Sequence, residues 1–198
     1  MKIIHIINSL NQGGAEKYLI NLCSKDYYNQ HIIISFKKGV LYKYAIDKKI
    51  NNNIINLNNL NIFASLYRIY NLIKNIDPDV INVWLYKSIF YFSLINIFFI
   101  KKKIVWWIRT SLNTNDLNNT KYLFIRSISL LSYLFPSNIL FNSEKAKISH
   151  LDFGFKSNIS SVINNFCDTH SYFYKEDKKN SNNRLTLGSV IRYDDDKD

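Results

Sequence analysis

Seven short apolar runs recur along the chain at a steady interval: KIIHII (2–7), HIIISF (31–36), NIINL (53–57), DVINVWL (79–85), KIVWWI (103–108), NILFN (138–142) and ISSVI (159–163). Most are rich in Ile and Val and apolar at consecutive positions, which predicts strands covered on both faces, as in a parallel sheet. Between them the period becomes helical. Ala15, Leu19, Leu22 and Cys23 share one face of a helical pattern, and so do Leu66, Ile69, Ile73 and Ile76. KYLFIRSISLLSYLF (121–135) is apolar nearly all round. Pro78 and Pro136 each stop a helical stretch just before a strand. Strands alternating with helices at this spacing predict an α/β fold built on a doubly wound parallel sheet.

The longest apolar run, SIFYFSLINIFFI (88–100), is flanked by Lys87 and Lys101–Lys103. It falls short of the roughly 20 residues that span a bilayer, so it is expected to be a buried core helix, with an in-plane membrane contact as the alternative. Periodicity is lost near residue 168. DTHSYFYKEDKKNSNNR (168–184) is polar and mixed in charge, which predicts a linker. The expected organisation is a first domain over 1–167, a linker over 168–184, and in 185–198 the first strand of an incomplete second domain.

Composition changes this picture little. At 47% hydrophobic residues the chain can bury a sizeable core. Asn is abundant throughout, so INNNIINLNNLN (50–61) reads as loops between ordinary elements rather than as a special tract. The net charge of +11 would suit nucleic acid, an anionic membrane or phosphorylated substrates. The lysines are scattered, however, with no aromatic-interleaved basic stripe and no helix-turn-helix, so no nucleic-acid partner is expected. Cys23 falls on an apolar helix face, and Cys167 has no partner at ligand spacing, which predicts no disulfide and a reducing compartment. The four histidines form no metal motif or cluster along the sequence, so no metal is expected. MKIIHII is too short for a secretory leader and runs on into a loop without a cleavage site.

In a chain with 5 glycines, two stand together at Gly13-Gly14, between the first strand and the first helix. Residues without Cβ let the backbone approach a ligand, and a helix N-terminus offers free N–H groups to an anion. That loop lies at the carboxyl edge of the sheet, where open α/β folds bind ligands. A tight strand-to-helix turn is the simpler alternative. The dinucleotide pattern Gly-x-Gly-x-x-Gly is absent, as is the P-loop pattern, and no acidic residue ends the second strand. Glu16 reads as a favourable charge at the helix N-terminus rather than a base.

Five segments in order resemble one family. HIINSLNQGGAEKYLINL, PDVINVWLYKS, KIVWWIRTS, LFNSEKAKISHLDFGFKSNISSVINNFCDTHSYF and LGSVIRYDDDKD are similar to segments of family-4 retaining glycosyltransferases of the GT-B fold. The resemblance implies two Rossmann-like domains facing across a cleft, the first holding mainly the acceptor and the second mainly the nucleotide. It implies transfer of a sugar from a nucleotide-sugar donor to a glycan or lipid-linked acceptor, in synthesis of lipopolysaccharide or other surface polysaccharide. No metal or separate cofactor is implied. The implied substrate-binding residues are Gly13, Gly14, Trp84, Tyr86, Lys87, Arg109, Ser143 and Glu144, with Arg192 and Lys197 on the donor diphosphate. Catalytic residues stay unassigned, because the family's paired-glutamate segment belongs deep in the second domain. On this reading residues 1–198 alone transfer no sugar and bind nucleotide sugars feebly. A cytoplasmic location with peripheral contact at the inner membrane face is expected. Two departures stand out: Lys87 replaces a frequent His, and Asn165 a frequent Gly whose positive-φ turn Asn would tolerate. Two rivals remain: a non-catalytic acceptor- or partner-binding fragment, and a nucleotide-sugar epimerase-like Rossmann enzyme, against which the missing Gly-x-Gly-x-x-Gly and Tyr-x-x-x-Lys motifs count.

Overall fold

The computed structural model describes residues 1–166 except Asn51, Asn52, Asn59, Ile100, Asn115 and Asp116. The expected 168–184 linker and 185–198 strand, with Arg192 and Lys197, lie outside the described residues.

All seven apolar runs are strands: β1 (Lys2–Ser9), β2 (Gln30–Lys37), β3 (Ile54–Asn56), β4 (Val80–Trp84), β5 (Lys103–Ile108), β6 (Asn138–Phe141) and β7 (Ser160–Val162). They form one sheet in the order β3-β2-β1-β4-β5-β6-β7. Every neighbouring pair is parallel. The helices are α1 (Gly14–Lys25), α2 (Leu41–Asp47), α3 (Ile62–Ile76), α4 (Leu85–Ser93), α5 (Asn119–Leu131) and α6 (Glu144–Asp152).

Right-handed crossovers put helices on opposite faces where the strand order reverses. Leu19, Ile20 and Ala45 of α1 and α2 pack with Ile7, Ile33, Trp84 and Trp107 on one face. Leu66, Ile69, Phe92 and Ile128 of α3, α4 and α5 pack with Ile4, Ile6 and Val83 on the other. Alternate residues of each strand serve the two faces, so nearly every strand position had to be apolar. The switch from one face to the other falls between β1 and β4.

Pro78 acts as expected. Asp77 ends α3 in the left-handed conformation at φ 50°, and Pro78 precedes β4. The 88–100 run does not form the single buried core helix that was expected. It breaks after Ser93, and a 3-10 helix follows over Asn96–Phe99. Ile89 and Phe92 face the sheet, but Leu94, Ile97 and Phe98 are 56%, 61% and 67% exposed. Continuous hydrophobicity cannot say which side of a one-sided helix layer meets the core. The α2 helix was not anticipated, since its seven residues carry too little periodicity to stand out. Asn165 does not adopt the positive φ that its place in the family pattern suggested.

Candidate functional site

The β1/β4 switch is where open α/β sheets leave a crevice at their carboxyl edge, here between the starts of α1 and α4. Neither Gly13 nor Gly14 has a positive φ. Gly13 is extended at φ −152°, and its carbonyl accepts from Lys17 N at 3.2 Å to close the first turn of α1. A Cβ built on Gly14 would meet nothing within 4 Å. The pair therefore does not serve a strained turn: Gly14 is open, and Gly13, lacking a Cβ, makes room for the Glu16 carboxylate, which folds back over the start of α1. Across the crevice Leu85 takes φ 65°, in the left-handed region, and turns β4 directly into α4. Such strain in a residue with a Cβ gathers at functional sites.

The N-cap residues of α1 and α4, Gly13 and Trp84, supply no side-chain cap. By contrast Asn61, Asn118 and Ser143 cap α3, α5 and α6, accepting from Ala64, Lys121 and Ala146 N at 2.8, 2.9 and 3.1 Å. Two helix N-termini whose N-cap residues supply no side-chain cap thus flank the switch point, each with the positive end of a dipole; at α1 the Glu16 carboxylate takes a backbone N–H of the first turn. Lys87 is exposed in the first turn of α4. Burial raises the pKa of half-buried Glu16 in the first turn of α1, and a backbone hydrogen bond to its carboxylate opposes that shift. Gly39, which the sequence did not single out, props this loop. A Cβ there would fall inside the Leu10 carbonyl, and Leu41 N donates to that carbonyl at 2.9 Å.

Below the crevice Trp84 and Trp107 stack, with centroids 4.5 Å apart and planes at 12°. Tyr18 of α1 tilts against both rings at 6.2 Å. The Arg109 guanidinium lies 4.0 Å from the Tyr18 centroid. It donates to Ile163 O at 3.1 Å and to Asn165 Oδ1. Burial lowers its pKa. Trp84 is fully buried and forms part of the floor rather than an open face. Tyr86 turns away toward α6, where its hydroxyl donates to His150 Nε2; His150 Nδ1–H donates to Ala146 O at 2.6 Å. Burial raises the Tyr86 pKa and holds that of His150 down at about 4. Ser143 is the α6 cap, and Glu144 is exposed in that helix's first turn, two strands away from β4 in the sheet. The predicted residues Gly13, Gly14, Trp84, Lys87 and Arg109 thus gather at one edge, while Tyr86, Ser143 and Glu144 belong to the α6 side.

The histidines do cluster, contrary to expectation. His5 and His31 stand 26 residues apart, on adjacent parallel strands. His5 lies opposite Asn82 in the register of β1 and β4. Trp84 Nε1 and Asn82 Nδ2 donate to His5 Nδ1 at 3.2 and 3.3 Å, and Trp107 Nε1 donates to Asn82 Oδ1 at 3.0 Å. An indole N–H can only donate, so the His5 proton sits on Nε2. It is given to His31 Nδ1 at 2.9 Å, and His31 Nε2–H is given to Asp26 Oδ2 at 2.9 Å. The hydrogen bonds run in one direction from the tryptophans to Asp26.

With Cys23, these histidines bring three ligand-type atoms within 4.8 Å of one another. The group does not fit a metal. His5 Nε2 carries the proton, and exchanging it for a metal would leave a ring that must still accept from Trp84 at Nδ1, an imidazolate. Burial, then the Asp26 charge, pushes the Cys23 thiol up to about 12.

No protein-family model matches the chain, and no curated protein matches it in sequence. Solved structures do match in fold. Anabaena HepE in complex with UDP-glucose aligns at TM-score 0.76 and 17% identity over 89% of this chain and 47% of that one. The lipopolysaccharide outer core galactosyltransferase WaaB aligns at 0.58 and 18% over 83% and 45%. The UDP-GlcNAc 2-epimerase of Methanocaldococcus jannaschii aligns at 0.57 and 16% over 83% and 46%. The described residues form a Rossmann-like domain of the GT-B kind, and the chain spans less than half the length of these proteins. Transferase and epimerase share this fold, so the missing Gly-x-Gly-x-x-Gly and Tyr-x-x-x-Lys motifs do not decide between them.

Proposed function

We propose that the chain is the acceptor-side part of a glycosyltransferase that moves a sugar from a nucleotide-sugar donor to a glycan or lipid-linked acceptor of a surface polysaccharide, lipopolysaccharide included. The observation that carries this reading is the pair of helix N-termini, α1 and α4, flanking the β1/β4 switch in a domain whose fold recurs in HepE bound to UDP and UDP-glucose. Backbone amides there suit a phosphate or a sugar hydroxyl, with the Glu16 side chain moving off the start of α1. Lys87 adds a cation at the same edge. On this reading the nucleotide is held chiefly by a second domain, with Arg192 and Lys197 on its diphosphate, and residues 1–198 alone transfer no sugar. A UDP-GlcNAc epimerase half is the second reading, favoured by the epimerase among the fold neighbours.

The test is titration of UDP and UDP-glucose into the 198-residue chain, followed by amide NMR. Weak binding that moves Gly14, Ala15, Tyr86 and Lys87 is expected, lost in Gly14→Val with little change in Tm. Tight binding that Gly14→Val leaves intact would move the anion site elsewhere. A matching loss of stability would make the glycines a structural turn.

A further inference from the structure

The layer of α3, α4 and the 3-10 helix presents apolar side chains to solvent. Phe63 is 80% exposed, Tyr67 70% and Phe98 67%. They border an open groove of about 580 Å³ between α3 and the end of α4, floored by Leu66 and Ile95. Tyr70 joins its two walls, with its ring 5.5 Å from that of Phe98. A second hollow of about 440 Å³ shares Phe98 and is edged by Lys101 and Lys102. Contiguous apolar surface of this kind marks a place of contact.

Charge selects the partner. Between Asp47 and Asp116 the only acidic residues are Asp77 and Asp79, while Arg68, Lys74, Lys87 and Lys101–Lys103 fall in the same span. Asp77 is engaged by Lys102. Arg68, Lys74, Lys101 and Lys103 are exposed. Helices α1 and α2 mix the two signs: Glu16, Asp47 and, at the end of α1, Asp26 stand among Lys17, Lys25 and Lys43. We infer that the α3/α4 face docks on an anionic lipid bilayer, with Phe63 and Phe98 entering the headgroup boundary, Tyr67 at its polar level, and Lys101 and Lys103 over the lipid phosphates. A second copy suits this surface less well, because a two-fold contact would set one lysine row against another. No helix among the described residues is long and apolar enough to cross a membrane, so the contact is peripheral. The nine residues of α4, about 14 Å, separate this patch from the uncapped α4 N-terminus, which brings lipid-embedded acceptors within reach of the crevice. The docking itself does not depend on sugar transfer: vesicle binding and nucleotide binding can each fail without the other.

The 198-residue chain is floated with phosphatidylcholine vesicles with and without phosphatidylglycerol. Binding to the anionic vesicles alone is expected, falling as salt rises. Lys101→Gln/Lys103→Gln should weaken it about thirtyfold, at about fivefold per charge. Phe63→Ser/Phe98→Ser should weaken it at least about tenfold. Both pairs are exposed, and unchanged circular dichroism and Tm verify the fold. Absence of flotation, equal binding to both vesicles, or a concentration-dependent dimer that Phe98→Ser abolishes would each overturn the inference.

Discussion

Acid should unfold this domain through His5. Its pKa is lowered from 6.5 to about 3, first by burial and then by the neighbouring His31. The unfolded chain therefore takes up a proton near 6.5 that the folded chain refuses until about 3. The stabilisation is fully present above 6.5 and is lost progressively as pH falls from there toward 3. Each pH unit in that window removes about 1.4 kcal/mol. At about pH 5 the loss is about 2 kcal/mol. His150, held down at about 4 by burial, adds a loss of about the same size at that pH. Together they approach the whole stability of a marginal domain. The assay is urea denaturation at about pH 7.5, 6 and 5 on the 198-residue chain and on His5→Gln. Gln can accept from Trp84 and donate to His31, and it does not titrate. The variant should be less stable near neutrality but lose only about half as much on acidification. Equal pH slopes in the two proteins would refute the buried neutral histidine and with it the directed chain of hydrogen bonds from Trp84 to Asp26.

Two further substitutions separate support from contact. Gly39→Ala should lower stability by about 2–3 kcal/mol, because its Cβ meets the backbone of Leu10 and Asn11 rather than a side chain that can swing away; thermal denaturation measures it, and an unchanged Tm would mean the β1–α1 loop is not pinned there. Tyr86→Phe should lose about 1 kcal/mol by leaving His150 Nε2 without its donor, while ligand shifts at Gly14 and Ala15 persist; loss of ligand with stability intact would return Tyr86 to the binding surface.

The sheet was legible because a parallel strand buried on both faces must be apolar at consecutive positions, and Ile-rich runs such as KIIHII meet no other requirement so well. The glycine loop was legible too, since two glycines are conspicuous in a chain that holds 5. What stayed hidden depends on strand order. His5, His31, Asn82 and Trp107 lie far apart in sequence and meet only because β2, β1, β4 and β5 are neighbours. Each looked like an isolated polar or aromatic residue in a hydrophobic run. A polar residue at an inward strand position is the signal that could have found them, since burial without a partner is costly and several such positions imply one another. The exposed side of the 88–100 run was hidden for a different reason: apolar residues all round a helix are the pattern of a buried helix and of a membrane-facing one alike.

Arg109 shows how geometry redistributes roles within the proposed site. A guanidinium at a strand end is suited to grip phosphate, and the structure does bring Arg109 to the crevice. Its terminal nitrogens, however, already serve Ile163 O and Asn165 Oδ1, and its face is covered by Tyr18. The remaining Nε is buried and without a partner. Turning the fork toward a ligand would break two hydrogen bonds to a charged group, each worth about 1.5–3 kcal/mol, and would uncover Tyr18. The amides at the start of α4 carry no such debt, and at α1, where nothing stands within 4 Å of a Cβ on Gly14, only the Glu16 side chain over Gly13 would have to swing away. On the proposed reading an anion at this edge would meet backbone first, with Arg109 holding the Ile163–Asn165 segment beside it. The same arrangement explains the buried histidines. They fix Trp84 and Trp107 from below, the tryptophans support Tyr18, and Tyr18 supports Arg109, so the polar interior of the sheet sets the shape of the edge where the ligand would lie.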